Sequence, residues 1–93
     1  MITKIIEFEA AAGQEVALLS LLKGMVEPSR AEKGCLKYDL YTESENAAKL
    51  IIIESWATAE DLEAHRQAEH MAHFKANCGP LIASKAGRSL DCH

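Results

Sequence analysis

The chain has 93 residues, 48% of them apolar and 26% charged, and a net charge of −4. That length supports one domain, and a domain this short buries only about 60–65% of its unfolded surface, so alone it is marginal. The acidic balance and the lack of any Lys/Arg cluster argue against a nucleic-acid or anionic-membrane partner, and the apolar run Leu50 to Ile53, as long as any in the chain, cannot cross a bilayer.

The N-terminus, Met-Ile-Thr-Lys-Ile-Ile-Glu-Phe, lacks the layout of a signal peptide, because Glu7 and Glu9 interrupt any apolar stretch. Cys35, Cys78 and Cys92 are odd in number and have no C-x-x-C spacing. They read as free thiols in a reducing compartment, so a cytoplasmic location is expected.

Ile2 to Ala10 is the first predicted strand, with Ile6 and Phe8 on one face and Ile5, Glu7 and Glu9 on the other. Ala11-Ala12-Gly13 turns the chain. A helix from about Gln14 to Ala31 follows, with Leu18, Leu19, Leu22, Met25 and Val26 as one apolar stripe. Gly24 lies inside it at a cost of about 1 kcal/mol relative to alanine, which suggests a close packing contact. Pro28 removes a backbone donor and should kink or loosen its last turns, and Gly34 stops it. Cys35 to Tyr41 alternates as a second strand, Thr42 to Ala48 is a polar turn, and Lys49 to Trp56 is a third strand, apolar on both faces. Thr58 caps a short helix through the backbone of Asp61, with Leu62 and His65 on one side. A break near Gln67 to Glu69 precedes a second helix carrying Met71, Phe74 and Cys78, ended by Gly79-Pro80. Leu81 to Ser84 reads as a turn and Arg88 to Cys92 as a fourth strand.

The order β-α-β-β-α-β is that of an α+β, ferredoxin-like domain with an antiparallel sheet and its helices on one face. The other sheet face then carries uncovered apolar residues. A second copy of the sheet is the simplest cover, so a symmetric homodimer is expected.

The residues suited to chemistry cluster between positions 54 and 73. Glu54 sits among Leu50, Ile52 and Trp56. Burial disfavours a charged carboxylate, which suits a general base, while the alternative is a structural carboxylate, ion-paired with an arginine such as Arg30 or hydrogen-bonded to backbone. Histidine's ordinary titration range makes His65 a candidate base or partner for a phenolate. His70 either orients substrate or serves its own helix, by capping it or pairing with Glu69. His73 reads as solvated. The histidine spacings of five and three, without H-E-x-x-H or a compact Cys/His set, point to no metal. Trp56, Tyr38 and Phe74 can line a pocket for an aromatic ligand or simply fill the core.

Four motifs in order carry a resemblance: Arg30-Ala31-Glu32-Lys33-Gly34-Cys35-Leu36-Lys37-Tyr38, Glu54-Ser55-Trp56, Leu62-Glu63-Ala64-His65 and His70-Met71-Ala72-His73-Phe74. Together they resemble the antibiotic biosynthesis monooxygenase family across nearly the whole chain. The resemblance implies a dimeric α/β barrel, with a pocket between sheet and helices in each subunit. It also implies oxidation of quinol-like or polyphenolic rings by O2 without metal, flavin or haem. The haem-degrading branch fits less well, because it uses a tryptophan where His65 falls. Two other readings stay open. One is an isomerase of a small phosphorylated carbonyl compound, for which Arg66 and Lys75 are the only cations near the histidines. The other is a non-catalytic dimeric module that binds a small hydrophobic molecule.

Overall fold

A computed structural model describes all 93 residues. The elements are β1 (Ile2–Ala10), α1 (Glu15–Arg30), β2 (Cys35–Glu43), β3 (Asn46–Trp56), α2 (Ala59–Arg66), α3 (Glu69–Asn77), a 3-10 turn (Gly79–Leu81) and β4 (Ile82–Leu90). The strands form one antiparallel sheet in the order β2-β3-β1-β4, the ferredoxin-like arrangement expected from the element order. No helix is long and apolar enough to cross a membrane.

The core lies between the helices and one face of the sheet. β3 alternation sends Leu50, Ile52, Glu54 and Trp56 to that face, and the register places Phe8 opposite Leu50 and Tyr38 opposite Glu54. From α1, Leu18, Leu22 and Met25 close over them, while Leu19 and Val26 flank the stripe half-buried.

Three local expectations are corrected. β4 starts at Ile82 rather than Arg88, because pairing with β1 along its whole length supplies the strand signal that its weak alternation lacks. The turn after β2 shrinks to Ser44 and Glu45, since both hairpin strands extend toward each other. Pro28 lies inside α1, which runs on to Arg30; having no N–H, it cannot donate the usual bond to the Gly24 carbonyl. Gly24 has no close packing partner: a Cβ built there meets nothing within 4 Å.

Gly34 is the glycine the fold needs. Its φ of +81° is in the left-handed region, and a side chain there would collide with the Asp61 carboxylate. Its carbonyl accepts from Ala57 N–H at 2.8 Å. These contacts fix the turn over residues 31–34 against the start of α2.

On the sheet face away from the helices, Ile5 pairs with Ile53 and Ile51 lies beside Glu7. Tyr41 and Leu90 on the same face are 46% and 40% exposed. Polar pairs frame this patch: Thr3 with Ser55 at 2.9 Å, Arg88 with Glu7 at 2.8 Å and Lys37 with Asp39 at 2.7 Å.

Candidate active site

Four elements converge on His65. β3 supplies Glu54 and Trp56, two residues apart and therefore on one face; Trp56 Nε1–H donates to Glu54 Oε1 at 2.9 Å. α2 begins where Asp61 N–H donates to the Thr58 hydroxyl at 3.1 Å, the cap expected from the sequence. One turn further on, that helix buries Leu62 and His65. The His65 ring lies 4.6 Å from the Trp56 ring at a 32° tilt, and edge-on to Tyr38 at 5.6 Å.

The fourth contribution comes from the turn over residues 31–34. Glu32 Oε2 lies 2.6 Å from His65 Nδ1 and 2.9 Å from His70 Nε2. The chain reverses at Gln67 and Ala68, whose N–H groups donate to Ala64 and His65 carbonyls. That break brings His70 back toward Glu32. A carboxylate accepts from both rings only if Nδ1 of His65 and Nε2 of His70 carry the protons. In the neutral His65 ring this leaves a lone pair on Nε2. That atom is buried and has no hydrogen-bond partner, and the whole residue is 1% exposed. A buried nitrogen without a partner is costly, and a ligand group that reaches it removes the cost.

His65 and Glu54 both line a cavity of about 230 Å³ under α2 and α3, with Leu62 and Met71 on its helical side and Lys4 and Lys85 on its sheet side. A narrow apolar crevice of about 30 Å³ adjoins it, sharing Ile6, Glu54, Met71 and Lys85 and running inward to Tyr38 and Phe74. Two larger hollows, about 480 and 500 Å³, lie along α1 and β2. They hold no histidine, and their charged residues other than Lys23 (Arg30, Glu27, Lys37 and Asp39) are paired with one another. The smaller cavity beside His65 is therefore the chemically equipped one.

Burial, reinforced by the charge of Glu54, pushes the Tyr38 hydroxyl well above the ordinary phenol range. Tyr38 therefore stays protonated and is not a base. The same shift sets a stability limb. Above pH 10.0 the unfolded chain's Tyr38 gives up its proton while the folded chain's does not. The folded state then binds more protons, so stability falls as pH rises. Chemical denaturation of Tyr38→Phe from pH 9 to 12 should show a flatter alkaline decline than wild type. An unchanged slope would show that the buried phenol does not resist ionisation.

Of the residues singled out in the sequence, Glu54, His65, Trp56 and Tyr38 come together, and His70 joins them through Glu32. Trp56 stands behind His65 as its stacking partner and lines neither the cavity nor the crevice. Phe74 packs edge-on against Phe8 at 6.0 Å and lines the crevice away from the histidines. Arg30 does not pair with Glu54; it holds the Tyr38 carbonyl, Glu27 and Asp39. His70 pairs with Glu32 rather than Glu69, and His73 is exposed beside Asn77.

Glu32 was not foreseen as a site residue. It brings the donors on Glu32, His65 and His70 within 4.8 Å of one another, the set of a two-histidine-one-carboxylate metal centre. Their spacing is that of hydrogen bonds. A tetrahedral ion needs ligand atoms about 3.3 Å apart, so the 2.6 and 2.9 Å contacts would have to open by about 0.7 and 0.4 Å. As placed, the three groups share protons.

A ferredoxin-like sheet with helices on one face, enclosing a carboxylate–histidine cluster beside a small cavity, places the chain among small α+β domains of the ferredoxin-like class. A family model described as antibiotic biosynthesis monooxygenase matches residues 1–77, and the chain belongs to that family. Rv0793 of Mycobacterium tuberculosis, named as a candidate monooxygenase, is 39% identical over 66 residues, 71% of this chain and 64% of that protein. The uncharacterised protein sll1783 of Synechocystis is 28% identical over 73% of this chain and 46% of its own length. The matched stretch thus spans less than two thirds of either relative. The crystal structure of PA3566 from Pseudomonas aeruginosa superposes with a TM-score of 0.96 at 34% identity, covering 99% of this chain and 93% of that one.

Proposed function

We propose that the chain acts as a single-domain monooxygenase of quinol-like or polyphenolic small molecules, with O2 as oxidant and the substrate as the source of all electrons. The observation that carries this reading is His65: Nδ1 held by Glu32, Nε2 buried without a partner, and the ring on the wall of a cavity. A phenolic O–H placed at Nε2 loses its proton there. The electron-rich anion passes one electron to O2, and the resulting superoxide and semiquinone combine at a ring carbon. The peroxide takes back the proton from His65. Glu54, whose second oxygen makes no hydrogen bond, takes the proton from that carbon as the O–O bond breaks, and passes it to the departing hydroxide, which leaves as water. For hydroquinone the balance is one quinol plus one O2 giving one hydroxyquinone plus one water. The cavity of about 230 Å³ has room for the ring against Ile6, Leu62 and Met71, and exclusion of bulk water protects the intermediates.

Oxygen uptake against a panel of reduced quinols and polyphenols tests the reading, with 18O2 to follow the atoms. It expects enzyme-dependent uptake with one labelled atom in the product and one in water. Uptake no faster than autoxidation for every ring would overturn it.

The proposed working unit is a cytoplasmic homodimer joined through the open sheet faces. Support comes from the Ile5, Ile51 and Ile53 patch, with Tyr41 and Leu90 exposed beside it, and from three free cysteines. Sedimentation should give twice the 10.2 kDa chain mass. Ile53→Asp, which places a charge at the centre of the patch, should give the monomer. A wild-type monomer would remove the sheet-on-sheet assembly.

A further inference from the structure

The cavity beside His65 is cationic in an otherwise acidic protein, which carries a net charge of −4. Lys4 on β1 and Lys85 on β4 both project from the helix-facing side of the sheet into its wall. Most side chains on the helix-facing side of the sheet are apolar, and the half-buried Lys4 and the exposed Lys85 stand out among them. Neither ammonium has a carboxylate within 4.0 Å, whereas Lys37 and Lys49 on the opposite face are both paired. Lys4 Nζ donates only to the Ser89 hydroxyl at 3.3 Å. Lys85 Nζ sits 5.8 Å from the centre of the Phe8 ring. Arg66, the third cation on the wall, is engaged by Glu63 at 3.3 Å. Lys75, which the sequence placed near the histidines, spends its ammonium on the Arg66 carbonyl at 3.5 Å and does not line the cavity.

Resting on the reading of this cavity as the substrate site, we propose that its ligand is a ring-bearing carboxylic acid, with Lys4 and Lys85 as the specificity-determining residues that hold the carboxylate. Two free lysines against the single carboxylate of Glu54 leave one uncompensated positive charge. A carboxylate matches it; a doubly charged phosphate exceeds it. The ring lies in the same cavity, against Ile6, Leu62 and Met71. An acid group at the lysines therefore sets the ring's orientation relative to His65 and Glu54. An inward-pointing lysine on an edge strand also serves as a guard against edge-to-edge aggregation. That purpose fits Lys85 on the edge strand but not Lys4, whose strand is paired on both sides.

The test uses matched probes: 2,5-dihydroxybenzoate and hydroquinone, the same quinol with and without the carboxylate. Calorimetry under argon should show the acid binding at least about tenfold more tightly, equivalent to about 1.4 kcal/mol. That preference should shrink as salt rises, because partly exposed charges are screened. Lys4→Met, which keeps the aliphatic stem, should abolish most of the preference, bringing the acid's affinity down toward that of hydroquinone; Lys85→Met should act alike if it remains unaggregated in sedimentation. Equal binding of the two probes, no binding of either, or a preference untouched in Lys4→Met overturns the proposal. So does displacement of the acid by inorganic phosphate more readily than by benzoate. Oxygen uptake run alongside separates this inference from the monooxygenase reading. Selective, lysine-dependent binding without uptake sinks only the oxidation, and turnover of both rings with equal KM sinks only the acid preference.

Discussion

His65→Ala should lower turnover of any quinol the wild-type protein oxidises by roughly 10²–10⁴-fold, the usual worth of a positioned general base. Glu32→Gln should lower it by roughly 10–100-fold, as for other partners that orient a functional histidine. The reasoning starts from one carboxylate oxygen. Glu32 Oε2 meets His65 Nδ1 at 2.6 Å, which selects the tautomer with its lone pair on Nε2 and fixes the ring over Trp56. A glutamine oxygen can still accept that proton but supplies no negative charge to balance the imidazolium formed on proton transfer. Glu32 is therefore a positioning residue: kcat should fall while KM stays near the wild-type value, and Glu32→Asp should recover part of the loss. Adding Glu32→Gln to His65→Ala should cost little more, because the carboxylate acts through the ring. If the two losses multiply instead, Glu32 acts by another route, and a fully active His65→Ala removes the base altogether.

The strongest periodic signals in the chain were also the reliable ones. The α1 stripe and the β3 alternation locate the core and place Glu54 on Trp56's face, because side-chain direction follows directly from backbone period. The pleat alone could not say whether that face met the helices; the burial of Leu50, Ile52 and Trp56 beside Glu54 answers that. β4 was nearly invisible, since Ala83 to Ser89 hold no strongly apolar residue and the strand exists through its pairing with β1. Glu32 left no periodic trace either. It lies in an irregular turn, and its partners are 33 and 38 residues away. Lys4 and Lys85 escaped for the same reason, being 81 positions apart in sequence and neighbours of the same cavity only through the β1–β4 register. Long-range convergence of polar groups, unlike helix or strand period, has no local signature.

Trp56 should prove the residue least tolerant of truncation. Trp56→Ala removes a fully buried indole, which costs about 3–5 kcal/mol in cores generally, a large share of the roughly 5–15 kcal/mol that holds a domain together. It also strips Glu54 Oε1 of its donor at 2.9 Å and His65 of its stacking partner. Trp56→Phe isolates the polar part of that loss. The ring remains, the N–H goes, and a carboxylate oxygen 3% exposed as part of its residue is left without a protein partner. An orphaned buried acceptor costs about 1–3 kcal/mol, so the melting temperature should drop by about 4–8 °C per kcal/mol in a domain of this size. Removing both halves of the pair is the decisive comparison. Trp56→Phe combined with Glu54→Leu should be more stable than the sum of the single losses, because neither partner then stays buried alone. Strict additivity would mean that the hydrogen bond contributes nothing to the fold. Glu54 would then be tolerated in the core for its place on the cavity wall beside His65, with no structural return from Trp56.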